Sequence, residues 1–310
     1  MQIGSALAVP RRLVIEMNRL LERLLARGLV ITDGATGTQL QARGLAPGEC
    51  PDSWNLSCPT GVEELARAYV DAGSEIILTN TFRANRLALG GYGLSEKTEE
   101  INDSGVEIAR RAAAGQAAVF GSMGPSGKML MAGEVGEEEL RSAFEEQARV
   151  LAEAGVEGLA LETMTDLAEA KLALAAARQT GLPVVVSMVF DSGKEKDRTM
   201  MGVTPEQAAE ELTAAGADVI GANCGRSIKG FVPICRRLHS ATKRPIWIKP
   251  NAGLPEWVEG KVAYPTTPEE FAAFIPALVE AGASFVGGCC GTTPEFIRAI
   301  KAKMQALGAN

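Results

Sequence analysis

Histidine is all but missing: the 310 residues contain one, His239. A single imidazole excludes a histidine-rich zinc site and argues against a Ser-His-Asp triad or a Cys-His dyad. His239 sits among Arg and Lys in a helical stretch and reads as a surface residue. Basic runs are also missing, and the net charge is −7. Nucleic acid is therefore not an expected partner, because phosphate binding needs a concentrated basic surface. No block of like charge is long enough to form a tail. No apolar run reaches eighteen residues, so no membrane span is expected. The apolar stretch after Arg11 and Arg12 is interrupted by Glu16, Asn18 and Arg19. It reads as an amphipathic helix over 10–27 and not as a secretory signal. The 6 cysteines are scattered and do not look like a disulfide framework. A chain with 46% hydrophobic residues has a core that needs no staples, so a reducing, cytoplasmic compartment is expected.

What the chain does have is a regular alternation. Short apolar runs recur at 29–33, 75–80, 117–124, 158–163, 183–190, 218–224, 245–251 and 284–290. Most are rich in Val and Ile and do not alternate, as suits strands buried on both faces. Helical segments lie between them, among them one from Gly61 and one over 137–154. Thr204-Pro205-Glu206, Thr267-Pro268-Glu269 and Thr293-Pro294-Glu295 each read as an N-cap followed by proline at the first helical position. Eight strand–helix pairs without a linker predict an α/β fold, a (β/α)8 TIM barrel. An open doubly wound sheet is the alternative. The chain 1–310 is expected to be one domain, with the extra N-terminal helix covering the bottom of the barrel.

Barrels of this kind place their chemistry at the carboxyl ends of the strands. Here those ends carry Asp33-Gly34, Asn80-Thr81-Phe82, Gly121 to Pro125, Glu162-Thr163, Ser187, Asn223-Cys224, Pro250-Asn251 and Cys289-Cys290. Cys224 ends the sixth strand and the vicinal pair Cys289-Cys290 ends the eighth, with one strand between them. Three thiolates at one end suit zinc, and three protein ligands leave a fourth position open. Zinc with three thiolates carries a formal charge near −1, which makes it a poor Lewis acid for splitting water. It can still bind an incoming thiol and deprotonate it. That sulfur stays nucleophilic, so the chemistry expected is alkylation of a thiol and not hydrolysis. Three other readings stand beside this one. The cysteines could be small core residues. They could hold a structural zinc with a fourth ligand from Cys50, Cys58 or Cys235, though none of those ends a strand and all three read as packing or surface residues. Cys289-Cys290 could also be the thiol pair of a redox or zinc-sensing module.

The motifs DGATGTQL (33–40), LTNTF (78–82), ALETMTD (160–166), GANCG (221–225), KPNAGLP (249–255) and GGCCGTTPEFIRAI (287–300) are similar, in order, to the homocysteine S-methyltransferase family. The similarity runs from about Ile31 to Ile300. It implies a (β/α)8 barrel, a zinc ion held by Cys224, Cys289 and Cys290, and homocysteine as the methyl acceptor. KPNAGLP, the later YPTTPEEF and the TTPE after GGCCG most resemble the N-terminal homocysteine module of cobalamin-dependent methionine synthase. The implied donor is then methylcobalamin carried by a corrinoid protein, separate or in cis. S-methylmethionine and betaine are the alternatives within the family, and another thiol is the alternative acceptor.

Homocysteine brings an ammonium and a carboxylate as well as a thiol. Glu162 is the candidate to receive the ammonium, with a structural ion pair as the other reading. Asp33 would accept from the same ammonium or brace its own loop. Gly34, Ala35 and Thr36 would offer backbone N–H groups to the carboxylate. Asn251 is a candidate for the open zinc position, and Ser187 for a hydroxyl lining the site. GPSGK (124–128) lacks the spacing of a phosphate loop and reads as a loop over the barrel mouth, on the donor side. Met123, Met129 and Met131 offer either an apolar contact surface or ordinary loop packing.

Overall fold

The computed structural model describes residues 17–258 and 261–308. Ten strands are present among them: β1 (Val30–Ile31), β2 (Ile76–Leu78), β3 (Ala118–Met123), β4 (Gly158–Met164), β5 (Val184–Met188), β6 (Val219–Ser227), β7 (Ile246–Asn251), β8 (Glu256–Val258), β9 (Lys261–Ala263) and β10 (Ala283–Val286). Eight make one sheet in the order β1-β10-β7-β6-β5-β4-β3-β2, and every pairing within it is parallel. A parallel bridge between Thr32 and Ile76 joins the two ends. This is the (β/α)8 barrel that the eight apolar runs predicted. β8 and β9, a short antiparallel hairpin after β7, were not foreseen.

The apolar runs do not alternate because both faces of each strand are covered. One face packs on the surrounding helices. The other fills the barrel with Val30, Ile76, Ala118, Phe120, Ala160, Val185, Val219, Trp247 and Phe285. Trp247 stacks on Phe120 at 6.5 Å and tilts against Phe285 at 5.4 Å. A buried aromatic ring of this kind stabilises by about 2 kcal/mol over an exposed one. The helix Arg19–Leu25 starts at Asn18, whose side chain accepts from the Leu20 N–H. Its Leu21 is buried among the inward residues, so this helix covers the amino-terminal end of the barrel, as expected. Residues 10–16 of that expected helix lie outside the described residues.

The three proline-marked helix starts are all present. Thr204 and Thr267 form capping boxes with Gln207 and Glu270, and Thr293 accepts from the Glu295 N–H. Each satisfies an N–H that the first helical turn leaves without a partner. The helix Glu137–Ala154 has the predicted bounds. His239 is exposed in the last turn of the helix Ile228–Ala241.

Side chains along a strand alternate between faces with a period of two. The inward set therefore continues upward from the apolar layer: Phe120 to Ser122, Ala160 to Glu162, Val185 to Ser187, Trp247 to Lys249 to Asn251, Phe285 to Gly287 to Cys289. The residue type changes from apolar to polar within one step, and that change sets the floor of the site.

Candidate active site

Cys224 has the wrong parity to face inward, because Val219, Gly221 and Asn223 already do. The backbone corrects this. The β6–β7 register runs to Asn223 opposite Lys249 and resumes only at Ser227 opposite Asn251. In that bulge Cys224 takes φ 61° and Gly225 φ 68°, a left-handed conformation that a residue with a side chain adopts only under strain. The strain turns the Cys224 sulfur into the barrel mouth. Two contacts govern the other cysteines. A Cβ on Gly287 would lie 2.0 Å from the Thr32 hydroxyl oxygen, so only glycine lets β10 pass β1 this closely. Gly291 has φ 80°, and a Cβ there would enter the Tyr264 ring at 2.1 Å. The backbone N–H of Cys289 donates to Pro250 O at 2.8 Å, and Cys290 O accepts from Ala252 at 2.9 Å. These bonds extend the β7–β10 ladder past the cysteines and hold both sulfurs beside Cys224.

The three sulfurs lie within 4.8 Å of one another, and Cys224 Sγ is 3.9 Å from Cys290 Sγ. Among themselves they support one negative charge. Hydrogen bonds from Cys289 and Cys290, with a weaker one from Asn251, hold the Cys224 thiol down to about 3. The same contacts and burial push Cys289 well above the usual thiol range and Cys290 to about 12. A divalent cation would let all three ionise. The donor set fits zinc: three thiols meet at one point, and the neighbouring Asn251 has an Oδ1 buried without a hydrogen-bond partner. Cys50, Cys58 and Cys235 lie elsewhere and form no part of this cluster. Tyr264 stands beside Cys290, and burial followed by the cysteine charges raises its hydroxyl to about 12.

The sulfurs open into a cleft of about 380 Å³, also lined by Gly34 to Thr38, Gln41, Asp52, Asn80, Phe82, Arg83, Ser122, Glu162, Thr163 and Lys249. Glu162 is on its wall and accepts from the Ser122 hydroxyl at 2.5 Å. Burial raises its pKa, with the charge of Lys249 opposing. Asp33 has both oxygens engaged within the protein. One oxygen takes the Leu78 N–H at 2.7 Å, and the other pairs with the Lys249 ammonium at 2.5 Å. Of its two expected roles, the observed contacts are those of a brace. The Ala35 N–H is also engaged, by Thr292 Oγ1 at 3.1 Å. Tyr69 donates to Ala35 O at 2.8 Å and lies 3.0 Å from Thr292 O. The loops after β1 and β10 are thereby stapled together. Ser187 is fully buried under the site and does not line the cleft. It donates to Asn223 Oδ1 at 2.7 Å. Met123 is buried on β3, on its helix-facing side, while Met129 and Met131 are 47% and 79% exposed, so the three methionines do not form one surface. The GPSGK loop is held down by Glu169, which accepts from the Ser126 N–H at 2.7 Å.

Asn223 had no assigned role in the sequence reading and proves central. Its Oδ1 accepts from Ser187 and from the Thr163 N–H at 2.8 Å; its Nδ2 donates to Thr163 Oγ1 at 2.8 Å and approaches Cys289 Sγ at 3.8 Å. Thr163 has φ 62°, so this side chain clamps one strained strand end and touches a second. Asn223→Ala is expected to cost about 2–4 kcal/mol of stability, because buried Ser187 and half-buried Thr163 lose the bonds it makes. Zinc affinity is expected to fall roughly 10–100-fold, the usual effect of losing a group that orients a ligand. Urea unfolding and chelator competition measure the two; unchanged zinc affinity would show that Asn223 does not orient Cys289.

Fold and site together define a barrel with a cluster of three thiols, able to hold a metal ion, at the carboxyl ends of its strands. The homocysteine S-methyltransferase family matches residues 30–304. The chain belongs to that family. It is 33% identical over 297 residues to a methionine synthase of Mycobacterium leprae, covering 90% of this chain and 24% of that protein. It is 31% identical over 303 residues to a methionine synthase of Mycobacterium tuberculosis, covering 92% and 25%. The chain thus spans about a quarter of these relatives. Its fold resembles the homocysteine methyltransferase MmuM of Escherichia coli in metallated form, with a TM-score of 0.77, 24% identity, and coverage of 91% of this chain and 99% of that one.

Proposed function

We propose that the chain, acting as one barrel over 1–310, binds homocysteine in the cleft and methylates its sulfur to give methionine, with a methylcorrinoid protein as donor. The observation that carries this reading is the cluster of Cys224, Cys289 and Cys290 at the floor of an open cleft. Zinc at these cysteines would take the homocysteine sulfur as a thiolate at neutral pH, with the thiol proton passing to solvent. The chain's own residues do the rest. Glu162 receives the substrate ammonium, Ser122 fixes the Glu162 rotamer, and the Gly34–Thr36 loop borders the carboxylate. Asn251 stands beside Cys224 as the neutral group that yields when substrate sulfur arrives. With the sulfur so placed, a carbon–sulfur bond forms to the methyl group while the donor's bond to that carbon breaks, its electron pair staying on the donor. Holding nucleophile and electrophile in line supplies most of the acceleration.

Two features support a donor carried by a protein. The KPNAGLP and YPTTPEEF runs resemble the corrinoid-using branch of the family. The loops after β3, β5 and β7, on the carboxyl side of the barrel, also leave Met129, Met131, Met200, Leu254, Trp257 and Val262 exposed, apolar side chains on the side of the barrel from which a donor protein would approach. The test offers homocysteine with methylcobalamin, S-methylmethionine or betaine in turn, with and without zinc. Turnover is expected with methylcobalamin only and only with zinc. Turnover with S-methylmethionine or betaine alone would overturn the donor and leave the site in place. With the donor on a protein, Trp257→Ala is expected to lower kcat/KM about 10-fold while leaving the rate with free methylcobalamin unchanged, as for a lost contact at an interface.

A further inference from the structure

Lys249 has no part in the reaction above, yet among the described residues it is the one lysine lining the cleft. It is 2% exposed, pairs with Asp33 at 2.5 Å and lies 5.9 Å from the centre of the Trp247 ring. Its charge also acts on Glu162 and Cys289. A buried carboxylate needs a partner of opposite charge. Of the carboxylates here, Asp52 takes the Arg83 N–H at 2.9 Å and feels the Arg83 charge, while Glu162 on the wall and Asp33 behind it share one resident ammonium. Asp33 has both oxygens engaged, by Lys249 and by the Leu78 N–H. Of this pair Glu162 is left for the ammonium of a substrate, and Glu162 already has the Ser122 hydroxyl and the field of Lys249.

Resting on the homocysteine reading, we propose that Lys249 is a specificity-determining residue that relaxes the demand for an α-amino group. The site then takes, as acceptors, the wider class of carboxylates bearing a terminal thiol. When an acceptor without an amine binds, the carboxylates are still half neutralised by a charge the protein carries itself. Without Lys249, the same acceptor would leave two uncompensated carboxylates against it.

The test is calorimetric binding of L-homocysteine and of 4-sulfanylbutanoate, which lacks only the amine, to the zinc-loaded protein, with no donor present. In the native protein the two are expected to differ by less than about 30-fold. Lys249→Met, or Lys249→Gln where the methionine variant does not fold, is expected to widen the gap to more than ~100-fold. Lys249→Arg keeps the charge and the native gap. Adding Asp33→Asn to Lys249→Met removes the unpaired carboxylate and returns the gap to the native value, which a merely structural lysine would not do. A native gap above about 30-fold, or an unchanged gap in the neutral variants, overturns the proposal. Binding of neither thiol would overturn the homocysteine reading itself.

Discussion

Cys289→Ala is expected to leave the protein folded, without zinc and without methyl transfer. The sulfur lies within 4.8 Å of Cys224 and Cys290, and its backbone N–H is already secured to Pro250, so the strand end survives loss of the side chain. Zinc does not. Cysteine-rich sites bind zinc with about 10–16 kcal/mol over four ligands, or roughly 3–4 kcal/mol for each. Losing one ligand therefore weakens binding by two to three powers of ten, at ~1.4 kcal/mol per power. The remaining pair is also poorer in charge, and Asn223 loses the sulfur it approaches at 3.8 Å. Turnover is expected to fall at least ~30-fold, because a thiol near pKa 8.5 is only a few per cent thiolate at neutral pH. Metal analysis after dialysis and a methyl-transfer assay read the two effects. Cys58→Ala serves as the control and retains zinc, since Cys58 stands outside the cluster. A Cys289→Ala protein holding one zinc per chain at the native rate would remove this cysteine from the site.

The barrel was legible because its signal is distributed. Eight apolar runs and three proline-marked helix caps each point the same way, and no single misreading changes the count. The cysteines were legible because of residue type and place: a vicinal pair between glycines at one strand end and a third two strands away. The partners of the site were harder to see. Lys249 was read as part of a motif, yet its side chain is the buried counter-ion of Asp33, 216 positions away in sequence. Nothing local announces a contact across that separation. A parity signal was present, however. Counting in twos from the inward Trp247 reaches Lys249 and Asn251, and counting from Phe120 reaches Ser122. The same count puts Cys224 on the wrong face. Only the left-handed backbone at Cys224 brings it in, and backbone strain of that kind has no sequence signature in a non-glycine residue. Ser187 was placed on the correct face but one layer too high, because a strand's parity gives direction and not depth.

Glu162→Gln is expected to raise KM for homocysteine about 100-fold while lowering kcat much less. The substitution keeps the shape of the side chain and removes its charge. A hydrogen bond to a charged group contributes about 1.5–3 kcal/mol in proteins, and the amide also turns an NH2 toward the incoming ammonium half of the time. The chemical step takes place at the sulfur and does not involve Glu162, so the loss falls on binding and KM carries it. Acidification of the native enzyme provides an independent check. Burial raises the Glu162 pKa above the ordinary carboxylate range. The charged form is therefore lost earlier on the way down in pH than for an exposed glutamate. KM for homocysteine is expected to climb as pH falls through that raised value and to be level above it. The Gln variant has no such titration, so its KM is expected to start high and stay flat across the same range. Steady-state kinetics at a series of pH values, with zinc content measured at each, separates this effect from metal loss. If the Gln variant kept the native KM, or showed the native pH profile, the substrate ammonium would have to be received elsewhere in the cleft. Among the carboxylates at its wall, Asp52 would be the next to test: its carboxyl is raised to about 6 by burial, and it too lines the cleft.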